Sequence, residues 1–142
     1  MQTTARSDEG PRRFLLTCAV RKYDLAPDLN REELEDDGRR ITSIFCSDDL
    51  DATIRYDPVS LGDSPTSQEL KDSIRAFFSH EARDENDYVV LYLACHGEIL
   101  DEGGDYVLLT RDSDPNDLHA GRRLLAQEVM ELALARTKVR NL

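Results

Sequence analysis

Six side chains of this 142-residue chain are rare enough and reactive enough to carry nucleophilic or proton-transfer chemistry: Cys18, Cys46, Cys95, His80, His96 and His119. A thiol with an imidazole in reach is the arrangement for acyl transfer through a covalent intermediate. Cys95 and His96 are neighbours and look like such a pair. They close the apolar run Tyr88–Cys95, however, which reads as a strand, and consecutive strand residues point to opposite faces. Cys95 therefore reads as a small buried apolar residue. His96 fits two readings on its residues alone: a proton-transfer group at a functional edge, or a hydrogen-bonded histidine ending a strand. Gly97 follows and allows a tight turn with an uncrowded N–H. His80 lies in the last turn of a predicted helix, where the dipole favours it, and His119 lies in a polar loop. Asp112, Asp114 and Asn116 alternate like the start of a calcium loop, but position six is Asp117 and position twelve Arg123, so the pattern fails.

The elements that must position these groups alternate between apolar runs and amphipathic stretches. Arg13–Val20 reads as a buried strand ending at Arg21-Lys22. Arg31–Cys46 reads as a helix with Asn30 as N-cap and a stripe of Leu34, Ile41, Ile44 and Phe45 that also takes in Asp37. Ala52, Ile54 and Tyr56 alternate and predict a strand, followed by a loop through Pro58, Gly62 and Pro65. Thr66 and Glu69 form a capping-box pattern ahead of Leu70, Ile74, Phe77 and Phe78. Tyr88–Cys95 has no helical period and reads as a strand buried on both faces, the kind found in helix-covered parallel sheets. A second apolar run, Tyr106–Leu109, returns after an acidic loop, and Leu124–Arg136 closes the order as a helix with Leu125, Val129 and Leu132 inward. The sum is an α/β fold of three layers, with a mainly parallel sheet ordered second strand, first, third. Residues 1–12 read as a loose tail and residues 13–142 as one domain. Chemistry in such sheets gathers at the carboxyl ends of the strands, where His96 lies.

A net charge of −11 argues against nucleic acid or an anionic membrane as a partner. Three widely spaced cysteines give neither a disulfide framework nor a metal-ligand set, which points to a reducing, cytoplasmic setting. No stretch is long and apolar enough to span a bilayer.

The run YVVLYLACHGE, the acidic loop after it and DYVLLTRDSDP resemble the central segment of the caspase-like cysteine peptidases, nearest to the bacterial caspase and metacaspase-like branch of peptidase family C14. The resemblance implies the three-layer caspase-like fold, incomplete in this chain, and a cysteine endopeptidase; no cofactor is expected and no metal ligand is nominated, while dependence on calcium stays open. It assigns His96 as the catalytic histidine and the Gly97 N–H as an oxyanion donor. Glu35-Asp36-Asp37-Gly38 resembles the metacaspase context whose Asp lines a pocket for a basic residue, which nominates Asp37 for substrate binding. Arg21, with Arg13, instead favours an acidic residue, and the sequence leaves that choice open.

In the same family a further buried strand carries the nucleophilic Cys. Val139–Leu142 has the look of that strand's first residues, so the nucleophile is expected beyond Leu142. None of Cys18, Cys46 and Cys95 suits the role by position. The expected partners are a peptide substrate and the remainder of the catalytic domain, or a second copy of the chain docked on an exposed sheet edge. Two other classes compete: an inactive caspase-like interaction module, and a receiver-like signalling domain. The receiver needs paired acids after the first strand and an Asp ending the third, where this chain has Arg21-Lys22 and His96.

Overall fold

The computed structural model describes residues 10–100, 103–118 and 122–142. A parallel sheet holds β1 (Arg13–Ala19) between β2 (Asp57–Asp63) and β3 (Tyr88–Ala94), so the predicted order of second, first and third strand is found. A small antiparallel sheet follows, made of β4 (Gly97–Leu100), β5 (Asp105–Leu108) and β6 (Leu124–Leu125). Three helices complete the order: α1 (Leu34–Cys46), α2 (Ser67–Phe78) and α3 (Ala126–Leu134).

Strand alternation divides the parallel sheet into two faces. Leu16, Cys18 and Val20 of the first strand and its exit join Val89 on one face, where they pack with Leu70, Ile74 and Phe78 of α2 and Val129 and Ala133 of α3. Thr17 and Ala19, on the other face, look across a 710 Å³ cavity at Leu34, Gly38 and Thr42 of α1. The molecule is thus layered α-β-α as the sequence predicts, but unevenly: α1 has no buried residue, and its Ile44 is 65% exposed.

α2 forms where its signals place it. Thr66 accepts the Glu69 N–H through Oγ1 at 3.2 Å and gives its own N–H to the Glu69 carboxylate at 2.8 Å. Asp112 reinforces this end by accepting the Ser67 N–H at 2.9 Å.

Three boundaries differ from expectation. The second strand is not at 51–56. Asp51 accepts both the N–H and the hydroxyl of Thr53, at 2.8 and 2.7 Å, and this side-chain turn overrides the alternation of Ala52, Ile54 and Tyr56. The strand is instead Asp57–Asp63, running through Pro58 and Gly62, both expected in a loop. It pairs with β1 alone, and an edge strand tolerates proline. α1 begins at Leu34 instead of Arg31, because the Asn30 side chain accepts the Tyr23 N–H at 2.9 Å instead of capping the helix. Leu124 and Leu125 open no helix; they pair with β5, and α3 starts at Ala126.

Among the described residues, no helix is long and apolar enough to cross a membrane, and no group of three or more His, Cys, Asp or Glu is placed to hold a metal ion. Asp112 and Asp114 are engaged in local turns. His119 lies outside the described residues.

Candidate active site

His96 sits between the two sheets, at the carboxyl end of β3 and the start of β4. Three hydrogen bonds fix it. Its N–H donates to the Tyr23 hydroxyl at 2.9 Å, its carbonyl accepts the Leu109 N–H at 2.9 Å, and its Nε2 lies 2.8 Å from the Leu29 carbonyl. A carbonyl oxygen only accepts, so Nε2 carries the proton and the neutral ring keeps its lone pair on Nδ1. The ring edge also packs on Tyr23, centroids 5.3 Å apart at 62°. The imidazole is oriented as a base, with its tautomer set by a backbone group.

The loop after β1 builds this cradle. Tyr23 is buried at 1% exposure, and its phenol is pushed up to about 12, chiefly by burial. The loop turns through a single 3₁₀ turn, Pro27–Leu29, which presents the Leu29 carbonyl to the histidine. Asn30 ties the loop back to Tyr23, and the Arg31 N–H donates to the Arg21 carbonyl at 2.9 Å. The sequence puts the turn that holds Tyr23 at the functional edge but does not pair Tyr23 or Leu29 with His96, and it reads Asn30 only as a helix cap. Tyr23 lies 73 residues from His96, and a backbone carbonyl leaves no mark on residue type. Replacing Tyr23 by Phe leaves the His96 N–H without its acceptor, a loss of about 1–3 kcal/mol when the group is shut from water. Urea unfolding of Tyr23→Phe is expected to show that loss; an unchanged midpoint would mean that water replaces the phenol.

Gly97 follows in β4. Because Leu109 bonds to His96, those two residues form the hydrogen-bonded pair of the ladder and Gly97–Leu108 the next, non-bonded pair. The Gly97 N–H therefore points away from β5, toward the open edge of β4. Its φ lies outside the left-handed range, so conformational freedom is not why glycine stands here.

The cysteines sit elsewhere. Cys95 packs against the main core, as opposite-face geometry predicts, and burial pushes its thiol up to about 11. Cys18 is buried, with its thiol pushed up to about 12 by burial, then by Cys95 and Asp63. Cys46 ends α1, its thiol also raised by burial and by Asp57. A reactive cysteine needs the opposite environment, one that lowers its pKa.

Arg21 is no open cation. Its guanidinium meets Asp63, Glu32 at 3.1 Å and Glu35 at 3.1 Å, latching the exits of β1 and β2 to the approach and first turn of α1. Its side chain is 16% exposed. Arg13 is at the amino end of β1, stacked over Tyr88 at 4.6 Å, away from the strand ends that carry His96. The structure thus gives neither arginine to an acidic substrate residue. Asp37 is half-exposed and pairs with Arg40 on its own helix at 3.7 Å; no contact among the described residues joins it to His96.

The latch has a pH signature. Hydrogen bonding to Arg21 holds the Asp63 carboxyl below its ordinary 3.8. A lowered folded value stabilises above the unfolded pKa, and the gain disappears as pH falls through the folded one. The stability difference between the native chain and Arg21→Gln is expected to stay constant from about pH 7 to 5 and to shrink below about pH 3.5. Urea midpoints across that range read it; a difference independent of pH would assign the loss to packing.

No curated protein was found to match the chain. Against known protein families, the caspase domain (peptidase family C14) matches residues 12–133. That span includes the parallel sheet, the Tyr23 loop, His96 and Gly97, and the chain belongs to the caspase-domain family.

Proposed function

We propose that this chain is the histidine-bearing part of a cysteine endopeptidase, with His96 as its proton-transfer residue and the Gly97 N–H as one oxyanion donor. The observation that carries the reading is the Nε2–H to Leu29 carbonyl bond, which leaves Nδ1 basic at the carboxyl end of the sheet. Membership of a peptidase-type family supports it. The reaction is acyl transfer. Nδ1 of His96 takes the thiol proton, and the thiolate attacks the scissile carbonyl. The C–N bond breaks as Nδ1–H passes that proton to the leaving amine. Water then hydrolyses the thioester, giving a proton to Nδ1, which returns it to the departing thiolate. The carbonyl oxygen, negative in each tetrahedral intermediate, is held by the Gly97 N–H, a contact worth roughly 3 kcal/mol in other hydrolases.

The attacking thiol is not Cys18, Cys46 or Cys95. It belongs to a segment past Leu142, on a strand added to the outer edge of β3. Val139 is fully buried, and Asn141 already makes a parallel bridge to Tyr88 at that edge. For the residue ahead of the scissile bond we favour a basic side chain: Asp37 is half-exposed with one intrahelical partner, whereas Arg21 is neutralised by three carboxylates. The test is peptide hydrolysis by a gene product that extends past Leu142, together with its sensitivity to thiol alkylation. Hydrolysis that survives alkylation would overturn the thiol mechanism, and no hydrolysis of any peptide would leave the fold as an interaction module.

A further inference from the structure

We infer that Tyr106 is a positioning residue for this reaction: its phenol occupies the space beside the Gly97 α-carbon and braces the peptide whose N–H donates to the oxyanion, in the plane that the Leu109 bond to the His96 carbonyl sets. The inference rests on the peptidase reading above. A Cβ built on Gly97 overlaps the Tyr106 hydroxyl and comes within 2.7 Å of Cζ and 3.1 Å of Cε1. The local φ asks for nothing unusual, so what a side chain at 97 would disturb is the Tyr106 ring, whose hydroxyl tip it would push aside.

The ladder explains how a residue of β5 reaches Gly97. Tyr106 is paired with Ile99, two residues along β4 from Gly97. That pair belongs to the same non-bonded set as Gly97–Leu108, in which facing side chains approach most closely. The ring leans diagonally across β4, a distance within aromatic reach, and ends over Gly97. Tyr106 is 48% exposed and Ile99 69%, so this contact is not part of the core that holds the domain together. A half-exposed aromatic laid over the backbone of a donor residue restrains that peptide against rotation about its neighbouring bonds. Donors aimed in advance avoid reorganisation when charge develops, and misaiming one forfeits part of its effect.

The test is a double-mutant cycle in the gene product extended past Leu142, with Gly97→Ala, Tyr106→Ala, the pair together and Tyr106→Phe. Gly97→Ala alone is expected to lower kcat about tenfold, because the methyl pushes the Tyr106 ring off the donor peptide. In the Tyr106→Ala background the same methyl has room, and adding it is expected to cost under about threefold. Tyr106→Ala alone is expected to lower kcat about tenfold with KM within about twofold, because the aim of the donor matters most in the transition state. Tyr106→Phe keeps the ring over Gly97 and is expected to remain within about threefold of the native kcat. The structural readout needs no activity: the Gly97 amide resonance of the 142-residue chain is expected to shift in Tyr106→Ala and to move less in Tyr106→Phe. Additive kinetic losses, or a Gly97 amide indifferent to Tyr106→Ala, would overturn the inference. An inactive native gene product with a Gly97 amide that still responds would overturn the peptidase reading alone.

Discussion

His96→Ala is expected to abolish peptide hydrolysis by the extended gene product, lowering kcat by at least about 10³-fold, while Cys95→Ala leaves it within about twofold. The two residues are adjacent, so the contrast isolates side-chain direction from neighbourhood. His96 is held by Tyr23, Leu109 and Leu29 with its tautomer fixed, and an alanine in its place has no group to accept or give a proton. Cys95 packs with the core, and a thiol raised to about 11 leaves about one part in 10⁴ as thiolate at pH 7. Its truncation removes a small, partly buried group, which costs about 1 kcal/mol of stability and no chemistry. Tm for each variant separates the effects: His96→Ala should stay folded while inactive. Retained hydrolysis in His96→Ala, or loss in a fully folded Cys95→Ala, would reverse the assignment.

The parts of this site that were legible are those written in side-chain type over short spans. The Thr66/Glu69 capping box, the apolar run of β3 and the His96-Gly97 ending need only local pattern, and the structure has each element where that pattern puts it. The misplaced second strand shows the limit. Ala52, Ile54 and Tyr56 have the alternation of a strand, but an Asp two residues before Thr53 offers the backbone a competing turn. Pro58 and Gly62 look like loop residues until the strand is known to be an edge. The tertiary half of the site was out of reach for a different reason. The Leu29 carbonyl belongs to no residue type, and the Tyr23–His96 bond spans 73 positions. Gly97 was read as freedom to turn, whereas the structure makes it a matter of space beside Tyr106, visible only once β4 and β5 are paired.

Amide exchange on β3 is the second large effect, and it is expected to alternate along the strand. The Tyr88 N–H donates to the Arg12 carbonyl, and the Ala94 carbonyl accepts the Val20 N–H, both toward β1. In a parallel ladder the N–H and C=O of one residue point the same way, so Tyr88, Val90, Tyr92 and Ala94 face β1 while Val89, Leu91 and Leu93 face outward. Val89 has a partner, the Asn141 carbonyl at 2.9 Å. Leu91 and Leu93 present their N–H groups to the open edge. In the 142-residue chain, Val90 and Tyr92 are therefore expected to exchange slowly, and Leu91 and Leu93 on the order of 10²-fold faster or more. With the chain continued past Leu142, a strand seated on that edge removes the alternation and all four amides slow together.

The same strand matters for stability. An apolar edge at β3 and, over β1 and β2, a helix with no buried residue leave surface uncovered in a fold whose whole margin is about 5–15 kcal/mol. Self-association is the other way to cover it, and it announces itself: Leu91 and Leu93 would then slow as protein concentration rises, with a matching increase in sedimentation coefficient. A monomeric 142-residue chain that protects Leu91 and Leu93 as well as Val90 and Tyr92 would mean that the outer edge of β3 is closed without any further strand. The proposed seat for the nucleophile would then be gone.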